Sequence, residues 1–391
     1  MSASKKFVGP VIAALGVSIV GCGGTQTGDM SGYNTGSRTL DTSTVSPATS
    51  LSAATLGSKL LPLIAGKPGF VAGLNVASFG SQPDSELGKN PLLPNAEVSY
   101  NSKLVNSAFQ DMASIGSNVV RIRLFQKLDG LKLDSNGLVT GLDDTFQKNL
   151  TDLLDKAENS KLQLYVCISN SWSEFMTAKD PVLDTNARNA FYKKAIVPLV
   201  VKLKGRSGVF AIDAFNEIES EVAGKDGNST DKGATWDQAR AYIKSAVETI
   251  KSVDPQRLVS SSSGLHGWDN VKAGKFSKLN LDFYDFHVYD DKGILPAAKD
   301  LRVDRPVLVG SCGQASKKED NDVQAKADVW FLESALKQGY AGALVSEYGK
   351  STENALSLLD KDGKHRPILT QFQSFVASLP SPAMSGTGLG R

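Results

Sequence analysis

A repeated change of hydrophobic period constrains this chain more than any other feature. Short runs rich in β-branched and aromatic residues stand at 70–76, 118–124, 162–168, 209–215, 257–262, 281–286, 306–310 and 341–345. Between them lie amphipathic segments with apolar residues three and four apart, the clearest over 102–115, 143–159, 186–203, 235–253 and 322–338. Strands that alternate with helices pair in parallel, because a parallel neighbour is reached only through a crossover of helical length. Eight such units within 69–379 predict a single (β/α)8 TIM barrel, with a doubly wound open sheet as the alternative. No change of composition inside that stretch marks a second folded domain.

The flanks read differently. Lys5 and Lys6 precede an apolar stretch over 7–20 that Pro10 interrupts and Ile19-Val20-Gly21-Cys22 ends. That stretch is short of the roughly 20 residues needed to span a bilayer. Small and aliphatic residues directly before a cysteine resemble the lipobox of bacterial lipoproteins. The resemblance implies a signal peptide over 1–22, lipidation of Cys22, and an exported lipoprotein held at the outer membrane or cell surface. From 23 to 68 the chain turns to Ser, Thr and Gly, a composition that buries too little apolar surface to order itself and reads as a flexible linker. Residues 380–391 read as a flexible tail.

Charge and rare residues exclude several classes. Lys and Arg number 43 against 41 Asp and Glu, a formal charge of +2, so no concentrated basic face supports nucleic-acid binding. Three His and three Cys are too few for a repeated zinc framework or a disulfide scaffold. No metal or cofactor is expected, and the chain is read as a monomer.

In a (β/α)8 barrel the chemistry sits just past the C-terminal strand ends. Those positions hold Arg121 and Arg123 in the second run, Ser169-Asn170-Ser171-Trp172 after the third, Phe215-Asn216-Glu217 closing the fourth and Phe286-His287-Val288-Tyr289 closing the sixth. A carboxylic acid beside an amide, facing imidazole, phenol and indole groups, suits acid catalysis on a hydroxyl-rich ring: the acid protonates a leaving oxygen while the amide holds a neighbouring hydroxyl. Trp172 and Trp268 have the aromatic faces on which pyranose rings stack, and each can equally serve as core packing.

From Gly73-Leu74-Asn75, through Gly116-Ser117-Asn118-Val119-Val120-Arg121, to Asn216-Glu217 and His287-Val288-Tyr289, the chain resembles glycoside hydrolase family 5 and its clan of retaining barrel β-glycosidases. Val166-Cys167-Ile168-Ser169-Asn170-Ser171-Trp172 looks most like the endo-β-mannanase third strand. The resemblance implies a β-linked polysaccharide, mannan or glucan, as partner. It implies Glu217 as general acid/base, Asn216 as the amide on the sugar 2-hydroxyl, and Arg121, His287 and Tyr289 as groups that hold the nucleophilic carboxylate.

That carboxylate is where the resemblance breaks. The family places a Glu after the seventh strand, and this chain reads Pro306-Val307-Leu308-Val309-Gly310-Ser311-Cys312-Gly313. A serine hydroxyl without an activating base is a poor nucleophile near neutral pH. After the eighth strand, where the family usually sets a Trp beneath the sugar, stands Ser346. Glu347 is the candidate second carboxylate, one strand late for a retaining pair; its other reading is a counter-ion for Arg121 or Arg123. Two functions therefore stay open: a barrel that binds a β-linked polysaccharide with impaired hydrolysis, and a working endo-β-1,4-glycosidase that uses Glu217 as acid/base and recruits Glu347 or another carboxylate. Glu219 and Glu221 read as solvated loop charges, and Cys167 and Cys312 as small buried thiols.

Overall fold

The computed structural model describes residues 69–379, apart from 77, 80–85, 171, 173–177, 225–232, 265–266, 290–293, 315–320 and 350–355. The expected signal peptide, Cys22, the linker and the tail lie outside the described residues.

All eight β-rich runs form strands. They are β1 (Val71–Val76), β2 (Val119–Arg123), β3 (Gln163–Cys167), β4 (Val209–Asp213), β5 in two pieces (Leu258–Ser260 and Ser262–Ser263), β6 (Tyr284–Val288), β7 (Val307–Cys312) and β8 (Gly342–Val345). Each pairs in parallel with its sequence neighbours, and β8 returns to β1 through Val71 opposite Gly342. The first piece of β5 pairs with β4 and the second with β6, so the ring closes across the interruption at Ser261. Closure excludes the open sheet.

Helices α1 (Ser102–Ser114), α2 (Asp144–Asn159), α3 (Thr185–Phe191, continued through a π turn into Val197–Leu203), α4 (Trp236–Val253), α5 (Gly267–Lys272), α6 (Asn321–Lys337) and α7 (Pro367–Ser378) accompany the strands. Their starts are set locally. Asn101 caps α1 by accepting from the Lys103 and Leu104 amides, and Thr235 and Gln238 cap α4 reciprocally. The longer helices α1, α2 and α4 each bury an apolar stripe; α4 buries Tyr242, Ile243, Ala246, Val247 and Ile250.

The barrel interior divides by depth. Near the N-terminal strand ends, Val71, Val119, Tyr165, Phe210, Phe283, Leu308 and Leu344 form an apolar floor. Tyr165, Phe210 and Phe283 meet there with ring centroids 5.7–5.9 Å apart, pairs that stabilise by about 0.5–1.5 kcal/mol each beyond their area. Further up, polar side chains replace them.

Several strand boundaries differ from expectation; β4 ends at Asp213 rather than at 215, which leaves Asn216 and Glu217 on the turn that follows, and the boundaries of β6 and β7 also matter to the site. β6 begins at Tyr284 rather than at 281 and runs on to Val288, which brings His287 into the sheet. β7 continues past 310 to Cys312 and carries Ser311 opposite His287. Between Val309 and Ser311 the pairing register shifts, as at a β-bulge, re-aiming the side chains that follow. The bulge needs glycine: a Cβ on Gly310 would come 2.0 Å from the Asp285 carboxylate.

Candidate active site

Glu217 stands four residues past β4, after Ala214-Phe215-Asn216, and its backbone sits in the left-handed region at φ 53, ψ 60. Non-glycine residues reach that conformation only when the surroundings hold them there. Here the Glu217 amide donates to Ser262 Oγ at 3.1 Å, and its carboxylate lies 2.6 Å from His287 Nδ1. Burial by itself would raise the Glu217 pKa. The His287 bond and the charges of Arg121 and Arg123 outweigh burial and hold the group below the usual carboxylate range.

Arg121 is the hub beneath it. Nη2 reaches Asp213 Oδ2 at 2.6 Å, Asn216 Oδ1 at 2.7 Å and Ser262 Oγ at 3.4 Å. Asn216 in turn donates to Asn170 Oδ1 at 3.1 Å. Arg121 and Asp213 are 4% and 0% exposed, a fully desolvated pair whose worth lies in being complete. The structure thus brings together Arg121, Asn170, Asn216, Glu217 and His287 in one network.

Facing that network, Ser311 and Ser346 join hydroxyl to hydroxyl at 2.5 Å, and the Tyr289 hydroxyl bonds to Ser311. Both serines are buried. The Tyr289 ring is 42% exposed while its hydroxyl end points inward; burial of that end and the Glu217 charge push its pKa up to about 12. Three neutral hydroxyls therefore meet at the end of β7 where the family resemblance anticipates a carboxylate.

Glu347 pairs with Arg123 at 3.3 Å, both about a quarter exposed at the rim. Arg121 is instead neutralised by Asp213, which sequence reasoning missed. Its signal was present, as a lone charge ending the apolar run Val209-Phe210-Ala211-Ile212. Asp285 has the same signature inside β6: it is fully buried, accepts from Tyr165 at 2.8 Å, and burial pushes its pKa up to about 6.

Trp172 is committed to packing, whereas Trp268 stays partly exposed. Trp172 is 3% exposed, donates its indole N–H to Ser169 Oγ at 2.7 Å and meets Phe191 edge-on, leaving no face for a sugar. Trp268 packs against the core edge-on to Phe286. Glu219 and Glu221 correct the expectation of solvated loop charges: each is 1% exposed, because the turn after β4 folds inward and neighbouring donors meet their carboxylates. Glu221 accepts from the Trp172 amide at 2.7 Å, and Glu219 accepts from Ser263. Cys167 and Cys312 are buried free thiols. Among the described residues, no group of three or more His, Cys, Asp or Glu is placed to hold a metal ion.

Comparison with known proteins gives the same frame. Mannan endo-1,4-beta-mannosidase of Mytilus edulis is 23% identical over 290 residues, 63% of this chain and 77% of the mussel protein. Its counterpart from Cryptopygus antarcticus is 23% identical over 328 residues, 72% of this chain and 81% of that protein. A crystal structure of beta-1,4-D-mannanase from Cryptopygus antarcticus superposes with a TM-score of 0.57 at 20% identity, covering 80% of this chain and 90% of that one. The exo-beta-1,4-mannosidase Op5Man5 from Opitutaceae bacterium strain TAV5 gives 0.59 at 17% identity, covering 80% and 60%. Residues 85–371 match the cellulase family, glycosyl hydrolase family 5. That match spans most of the closed barrel and includes the Asn216-Glu217 pair on the turn after β4, and the chain belongs to glycosyl hydrolase family 5.

Proposed function

We propose that this chain is an exported, lipid-anchored, mannanase-type barrel that engages a neutral β-linked polysaccharide, β-mannan or β-glucan, and hydrolyses it poorly or not at all. The observation that carries the reading is the hydroxyl trio of Ser311, Ser346 and Tyr289. A retaining site needs a second carboxyl group about 5–5.5 Å from the acid, and a hydroxyl cluster without a base supplies no covalent nucleophile.

The charges support the same reading. Arg121 is matched by Asp213 and Arg123 by Glu347, and Glu217 is hydrogen-bonded to His287. Such matching favours an uncharged ligand, because an added anion would meet no free cation at these pairs. It also weighs against Glu347 as a replacement carboxylate, since Arg123 already holds it at the rim. A general acid must carry a proton at working pH, and a Glu217 held below the usual range is ionised near neutrality. Anchoring rests on the Ile19-Val20-Gly21-Cys22 sequence.

Incubating the purified protein with mannans, glucans and activated aryl β-glycosides tests the proposal. Saturable polysaccharide binding without product is the expected result. Turnover that Glu217→Gln abolishes would overturn it in favour of a working glycosidase.

A further inference from the structure

The turn after Glu217 carries a second acid tied to the segment on which Glu217 rests. Glu219 is 1% exposed. Its Oε1 accepts from Ser263 Oγ at 2.8 Å and from Asn270 Nδ2 at 3.3 Å, and Asn270 Nδ2 also reaches Ser263 Oγ at 3.1 Å. Its Oε2 is buried with no hydrogen-bond partner. A buried carboxylate with one unmatched oxygen is costly as an anion, far less so as a neutral acid.

The two anchors bracket Gly264, on the segment that leaves β5 and enters α5. A Cβ on Gly264 would fall 2.1 Å from the Glu217 carboxyl carbon, so the bare Gly264 backbone is the wall against which that carboxyl group lies. Whatever fixes Ser263 and Asn270 therefore fixes this wall.

We propose that Glu219 is a positioning residue for Glu217: by holding Ser263 and Asn270 it keeps the Gly264 backbone against the Glu217 carboxyl group, and so sets the direction and charge of the Glu217–His287 pair. Burial, with the Glu217 charge adding to it, pushes the Glu219 pKa up to about 8. Ser263 and Gly264 face Glu219 from the β5 side, Asn270 from α5, and Glu217 is the titrating group acting on it from its own turn. Near neutral pH Glu219 keeps its proton. Above about pH 8 it becomes a second anion beside Glu217. The inference stands independently of whether the barrel turns over glycan.

The chain has three histidines, His266, His287 and His365, so the His287 ring proton resonance can be assigned with His266→Gln and His365→Gln and followed by NMR in the full chain from pH 5 to 10. In the unmodified protein the His287 shift should show an inflection near pH 8. Glu219→Gln, a mimic of the neutral acid, should overlay it below about pH 7 and lack that inflection. Glu219→Ala should displace the resonance over the whole range. An unmodified curve without the inflection, a Glu219→Gln curve that keeps it, or a folded Glu219→Ala protein with an unchanged curve would each overturn the proposal. If Glu219→Ala does not fold, the Glu219→Gln comparison decides alone.

Discussion

Placing a carboxylate at position 311 probes how much of a retaining centre survives. In Ser311→Glu the new carboxyl group would enter between Tyr289 and Ser346, facing Glu217 across the network that Arg121 organises. Two carboxylates about 5–5.5 Å apart in an effective dielectric of about 20 repel by about 3 kcal/mol. That repulsion raises the Glu217 pKa by about 2 units, since one unit corresponds to 1.36 kcal/mol. An acid now held low by His287 and the two arginines would move toward the range in which it carries a proton at working pH. General acid catalysis contributes about 10²–10⁴-fold, so the variant should exceed the parent by at least about 100-fold before any gain from a covalent intermediate. The assay is reducing-sugar release from mannan and aryl β-mannoside hydrolysis from pH 4 to 9, with Ser311→Glu/Glu217→Gln as the control. Ser346→Trp in addition tests whether the sugar platform is also needed. A Ser311→Glu protein that folds, binds manno-oligosaccharides like the parent and releases no product would refute the reasoning, because the network would then not be a retaining site lacking one group.

Three further outcomes are expected. Asp213→Asn strips the counter-charge from Arg121 where the two are 0% and 4% exposed, and should cost about 3–5 kcal/mol in urea unfolding; a loss under about 1 kcal/mol would contradict the buried-pair argument. Asp285 has its pKa raised by burial from 3.8 to about 6, so the folded state binds that proton more tightly than the unfolded chain. Its contribution is fully present below about pH 4 and is lost as pH rises through about 6, an effect of roughly 3 kcal/mol. Asp285→Asn should therefore gain stability relative to the parent between pH 4 and 7, and parallel stability–pH curves would dismiss this assignment. Cys22→Ala should move the protein from the membrane fraction to the soluble fraction on expression in a bacterial host; unchanged partitioning would remove the lipid anchor.

The placement of Glu217, Asn216 and His287 on one rim is legible in the sequence, because strand ends in this architecture are where polar groups belong and each lies at or just past the end of an apolar run. Asp213 and Asp285 were harder to assign. Both lie inside apolar runs, and a charge there is explained only once the partner is known: Arg121 comes from two strands away, and Tyr165 from across the barrel. The burial of Glu219 and Glu221 is not legible in the sequence, because a short polar stretch after a strand looks the same whether it meets solvent or folds inward. Trp172 and Trp268 both have the chemistry of stacking platforms; packing against Phe191 claims Trp172, while Trp268 meets Phe286 edge-on and stays partly exposed.

The sequence by itself determined the number of strands, their parallel pairing and the rim on which chemistry is concentrated, because hydrophobic period and crossover length are local properties carried by neighbouring residues. It also places a serine, Ser311, at the end of the seventh run. The tertiary structure alone decided closure through the two pieces of β5, the register shift at Gly310 that sets Ser311 opposite His287, and the choice of Asp213 rather than Glu347 as the partner of Arg121. Those outcomes depend on charges and hydroxyls brought within about 3 Å across distant stretches of chain, where burial makes each pairing far stronger than it would be in water.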